Sequence, residues 1–82
     1  MAVEHKVKCW SNYFQAIRRK EKNFDVRRDD RGYQKGDTVI LREWVHNVPA
    51  PYFTGNDEVR KIKYVLTGGQ FGIEPGYVVL GF

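Results

Sequence analysis

Apolar and polar positions alternate with two periods along this chain, and the periods change at short polar breaks. Residues 5–10 alternate with period two, Val7 and Cys9 falling on one side, and predict a strand. Ser11 follows as an N-cap candidate. Over residues 12–19, Tyr13, Phe14, Ala16 and Ile17 form an apolar stripe at helical spacing. Arg18, Arg19 and Lys20 close that helix with cations at the favourable end of its dipole. Period two returns at 23–27, where Phe24 and Val26 are expected to face a core and Asn23, Asp25 and Arg27 to face away.

Residues 28–37 read as a polar loop, and the β-branched and aromatic run 38–45 as a strand. Asn, Gly and Pro in residues 46–57 predict a long loop or hairpin tip. Residues 58–67 form the longest strand candidate, with Arg60, Ile62, Tyr64 and Leu66 on one face. Glycine-rich turns at 68–72 and 73–76 lead to a terminal strand, 77–82. The expected architecture is one domain, 1–82, of α+β class and mainly β: five strands curled to cover their edges, with one N-terminal helix.

Charge adds a direction to this picture. The net charge is +4, but residues 1–35 carry ten Lys and Arg against five acids, and residues 36–82 carry four against five. A basic excess concentrated between Arg18 and Arg31 is the electrostatic footprint of a polyanion binder; a basic surface without a partner is the plainer alternative. Lys61 and Lys63 make a second basic row. No apolar run approaches the length of a bilayer span, and residues 1–6 lack a signal-peptide core, so a cytoplasmic location is expected.

One cysteine, Cys9, excludes an intramolecular disulfide and a cysteine-rich zinc site. His5 and His46 lack metal-ligand spacing, so no metal or cofactor is expected. Cys9 reads as a small buried hydrophobe, and no Ser–His–Asp or Cys–His constellation stands out.

The chemistry-bearing stretch is residues 20–28, Lys-Glu-Lys-Asn-Phe-Asp-Val-Arg-Arg. It delivers Lys22, Asp25 and Arg27 from one short piece of chain. Lys22 and Arg27 suit a phosphate, Arg27 also a guanine edge, and Asp25 a base amino group. An ordinary ion pair on a solvated edge strand would use the same residues. Trp10, opposite Val7 and Cys9, reads either as a core residue or as a ring exposed to stack a base, and Tyr33, beside Arg31 in the polar loop, is a stacking candidate. Trp44 fits sheet packing better, and Glu74 before Pro75-Gly76 is a second carboxylate at the mouth of the site.

The run from Lys20 to Asp37 resembles the ASCH superfamily, a PUA-like β-barrel group with the motif Gly-x-Lys-x-x-Glu-x-Arg after its first helix. Lys20 stands at the Gly position, Lys22 at the Lys, Asp25 at the Glu and Arg27 at the Arg. Gln34-x-Gly36-Asp37 and the ending from Phe71 to Leu80 are similar to a small ASCH-like subgroup of uncharacterised bacterial and phage proteins. The resemblance implies a PUA-like barrel binding RNA or a nucleotide through a basic cleft. Some relatives are amidohydrolases on acylated cytidines, with a Thr nucleophile where this chain has Asp25. A small amidohydrolase acting on a modified nucleoside is therefore the rival reading, and a non-enzymatic interaction protein is a third.

Overall fold

A computed structural model describes residues 2–82 of the chain. Strand β1 (Glu4–Trp10) runs directly into helix α1 (Ser11–Arg18), followed by β2 (Phe24–Arg28), β3 (Thr38–Val45), β4 (Tyr52–Lys61), β5 (Tyr64–Thr67) and β6 (Tyr77–Gly81). The strands form two three-stranded sheets, ordered β1-β3-β4 and β2-β6-β5. Strands β1 and β3 are parallel, and the other pairs are antiparallel. The chain is therefore α+β and mainly β, as its patterning predicts, with six strands instead of five.

Both sheets and the helix share one core. Val7 and Cys9 of β1, Val39 and Leu41 of β3, Val78 and Leu80 of β6, and Phe14 and Ile17 of α1 are all buried in it. The chain passes from the first sheet to the second at Ile62, whose side chain is buried and whose backbone bonds to Asp37 and Gly36 on both sides. At the N-terminal end, His5 Nε2 lies 2.9 Å from the buried Asp37 carboxylate, which also accepts from the backbone N–H groups of Val3 and Gln34.

The end of α1 explains residue 20. Lys20 has φ +63°, its N–H donates to Ile17 O, and the Glu21 N–H donates to Ala16 O. These two bonds make a Schellman cap with Lys20 at the left-handed position that normally holds glycine. The cap turns the chain so that Lys22 and β2 return along the edge of β1.

Four expectations need correcting. Ser11 is the first helical residue rather than the N-cap: Trp10 takes that position, and the Ser11 hydroxyl is spent on Glu43. Tyr13 leaves the apolar stripe and is 45% exposed, because only Phe14 and Ile17 point into the core. Residues 52–57 belong to β4 instead of a loop. They are exposed and lack alternation, and Gly55, at φ +91°, sits within an irregularity where the β3–β4 register shifts between Arg42 and Trp44. Residues 58–67 are then not one strand but the end of β4 and the whole of β5, split at Ile62.

Candidate functional site

Strand β2 is turned the other way from its expected orientation. Phe24 and Val26 are about half exposed, whereas Asp25 is buried and Arg27 is partly buried. Alternation places the two sets on opposite faces but leaves open which set goes inward. Here β2 is an edge strand paired only with β6, and its inner face looks onto the β1 side of the molecule. Two charged groups enter there because each finds a partner.

Asp25 is the hub. Its Oδ2 accepts from Arg27 Nη1 at 2.9 Å, and its Oδ1 lies 3.4 Å from Lys22 Nζ. Arg27 Nη1 also donates to the Lys8 carbonyl at 3.0 Å, tying β2 to the edge of β1. Lys22 Nζ donates to the Phe24 carbonyl at 2.7 Å and sits over the rings of Phe24 and Tyr13. Burial works against the charge on Arg27, yet its bond to Asp25 keeps the guanidinium above its ordinary pKa. The fork has further donors at Nη2 and Nε.

This cluster opens on a cleft of about 420 Å³ between β1 and β2. Lys8, Arg27, Arg28 and Arg31 bring cations to it, Asp25 and Asp30 carboxylates, and Trp10, Tyr13, Tyr33 and Tyr77 aromatic surface. Cys9 lies at its floor. Burial, and then the nearby Asp25, pushes the Cys9 thiol up to about 11, so it is a neutral thiol near pH 7.

Five of the six expected site residues are gathered at this place, in different roles. Asp25, Arg27, Trp10 and Tyr33 line the cleft, and Lys22 stands behind it on Asp25. Trp10 is 46% exposed, with His46 stacked on it at a centroid distance of 3.8 Å and Tyr13 at 5.9 Å. Tyr33, expected as an exposed loop aromatic, is buried against His5 instead. Its core packing leaves no free ring face to stack a base. Burial raises the pKa of its hydroxyl, outweighing the Arg27 charge, so it faces the cleft as a neutral donor. Glu74 is apart from the cluster: it is exposed and lines a separate depression with Gly72 and Ile73, sharing only Val26 and Tyr77 with the cleft.

Glu43 is the residue that sequence patterning misses. It is buried in β3, and its carboxylate accepts four hydrogen bonds from neutral groups. Ser11 Oγ and Gln15 Nε2 donate to one oxygen at 2.7 and 2.9 Å. Thr54 Oγ1 and Asn56 Nδ2 donate to the other at 2.8 and 3.0 Å. The irregular stretch of β4 aims Thr54 and Asn56 at it. Burial raises its pKa, but the four donors outweigh burial and hold it at about 2. This clamp fixes the β1–α1 junction, and with it Trp10, against the far strand of the sheet. The only hint in the sequence is a single acid in an otherwise apolar, inward-facing register with Val39 and Leu41.

Among the described residues, no group of three or more His, Cys, Asp or Glu could hold a metal ion, and no helix is long and apolar enough to cross a membrane. A family model described as "Domain of unknown function (DUF3850)" matches residues 4–82. The chain is also 40% identical over 67 residues to an "Uncharacterized 12.9 kDa protein in GpA 3'region" of Escherichia phage P2. That match covers 82% of this chain and 54% of the phage protein, so the chain spans about half the length of that relative.

Proposed function

Because the chain belongs to the DUF3850 family across residues 4–82, a family whose description names no activity, we propose from its cleft that it binds RNA or a nucleotide-containing ligand. The observation that carries this reading is the reversal of β2. A strand that buries Asp25, half-buries Arg27 and exposes Phe24 and Val26 gives up apolar burial. Burying a hydrogen-bonded ion pair in place of apolar groups is neutral or unfavourable for stability. The arrangement makes sense as a binding device. Arg27, held in place by Asp25, and Arg28, Arg31 and Lys8 offer phosphate contacts, and the part of Trp10 that His46 leaves exposed supplies a stacking surface.

The resemblance of residues 20–37 to the ASCH motif supports the same reading, and with it a PUA-like barrel formed by the two sheets and a cytoplasmic setting. Lys20 adds to that support, since it adopts the left-handed conformation that the motif glycine would supply. The amidohydrolase reading is weaker. The cleft's thiol is held protonated, and Asp25 is committed to Lys22 and Arg27 instead of to a nucleophile.

Titration with nucleoside mono- and diphosphates and short ribo-oligonucleotides, followed by tryptophan fluorescence, tests the proposal. Arg27→Ala should weaken binding at least about tenfold, the loss of one charge-assisted contact, with Arg27→Lys intermediate and both variants folded by circular dichroism. Indifference of every such ligand to Arg27, or binding to none at low salt, would refute it.

A further inference from the structure

The outer face of the β1-β3-β4 sheet is built differently from an ordinary solvated sheet. Helix α1 packs on the inner face, where Val7, Cys9, Val39, Leu41 and Glu43 point. The register places Lys6, Lys8 and Trp10 on the outer face beside Ile40, Arg42 and Trp44 of β3, and these beside Val59, Asp57 and Phe53 of β4. Lys61 joins them opposite Thr38. Trp10, Phe53 and Val59 are all well exposed.

Two of the cations are held in place over aromatic rings. Lys8 Nζ lies 4.1 Å from the centre of the Trp44 ring, and the Arg42 guanidinium lies 4.1 Å from that of Phe53. Trp44 and Phe53 touch each other, with centroids 4.6 Å apart. Such contacts restrain long side chains that would otherwise lose rotamer entropy on meeting a ligand. Four cations, Lys6, Lys8, Arg42 and Lys61, face two carboxylates, Glu4 and Asp57, so the face is net positive. Lys8 and Trp10 also line the cleft, which makes the cleft and this face one continuous surface around the edge of β1.

We propose that this face carries a single-stranded nucleic acid onward from the cleft, so that the preferred ligand is a polymer and not a free nucleotide. The inference rests on the cleft reading above and names its ligand class. Cations held along an open sheet suit the phosphates of a strand, and the exposed part of Trp10, where this face meets the cleft, offers a ring to an unpaired base. A bare duplex offers no unstacked base to Trp10.

The test is fluorescence anisotropy with a mononucleotide, a trinucleotide, and longer single-stranded RNA and DNA, at several salt concentrations. The wild type is compared with a Lys6→Ala/Arg42→Ala/Lys61→Ala triple variant and with Arg27→Ala. The wild type should bind the long strand at least about tenfold more tightly than the mononucleotide, with the gain shrinking as salt rises. The triple variant should lose that gain, and its salt slope for the long strand should fall by about 2. Its mononucleotide binding should be unchanged. Equal wild-type affinity for the mononucleotide and the long strand would overturn the proposal, as would a triple variant that binds the long strand like wild type. An acidic peptide that binds where oligonucleotides do not, and is lost in the triple variant, would assign the face to a protein and also overturn it. Long-strand binding that is lost in the triple variant but indifferent to Arg27 would keep the face and remove the cleft, so the two readings can fail separately.

Discussion

Glu43→Gln changes one atom type at the centre of the clamp and nearly preserves its volume. The carboxylate accepts from Ser11, Gln15, Thr54 and Asn56. Glutamine can accept on one side only, and its amide nitrogen would face two donors on the other. Thr54 or Ser11 can rotate its hydroxyl to accept, and Asn56 or Gln15 can flip its amide, so the network is weakened but not emptied. The drop in the Glu43 pKa from 4.5 to about 2 bounds the stabilisation by ionisation at about 3 kcal/mol, and the hydrogen bonds that glutamine keeps lower the expected loss to about 2 kcal/mol. For a domain of this size that is a fall of about 8–16 °C in Tm.

The sign of the pH dependence follows from linkage. A carboxylate with a depressed folded pKa stabilises fully above its unfolded value of 4.5, and the contribution fades as pH falls through about 2. Urea unfolding of wild type and Glu43→Gln at a series of pH values between neutral and 2 should show the widest gap near neutral pH and a gap that narrows below 4.5. Parallel stability curves across that range would refute the argument, because they would mean that Glu43 ionises equally in folded and unfolded chains.

Two further substitutions probe backbone positions. Lys20→Gly should stabilise the protein by about 1 kcal/mol by relieving the left-handed strain at φ +63°; chemical denaturation with no gain would refute it. Gly68→Ala should do the reverse: a Cβ there would fall on the Glu74 carbonyl oxygen and 2.6 Å from that of Tyr77. Forcing the turn between β5 and β6 open should lower stability by about 3 kcal/mol, read as a lower denaturation midpoint.

Patterning made much of this molecule legible. The alternation in β1, the β-branched run of β3, the terminal β6 and the Phe14–Ile17 stripe all lie where their periods put them. What failed has physical causes. Period two cannot tell the inward from the outward face: Phe24 and Val26 argue for the core side of β2, and the tertiary pairing of Asp25 overrides them. Gly55 and Asn56 carry turn chemistry, which a bulged strand uses as readily as a loop. The cluster of Lys22, Asp25 and Arg27 was visible because local chain brings it together. Glu43 was not, because its four partners come from positions 11, 15, 54 and 56, which only the fold unites.

The parallel pairing of β1 with β3 has a kinetic consequence. Those strands are separated by α1, β2 and the polar loop, and the whole intervening segment must be looped out before Glu4 can meet Thr38. Parallel, long-range pairings form slowly, since loop-closure entropy is spent before the contacts repay it. The cleft lies between β1 and β2, inside that loop, and Arg27 reaches it through the Lys8 carbonyl. A peptide covering residues 20–28 should therefore lack the binding surface altogether. Ligand and fold are then coupled in time: until β1 and β2 are both in place the chain has its charges but no cleft, and ligand capture should not begin before then.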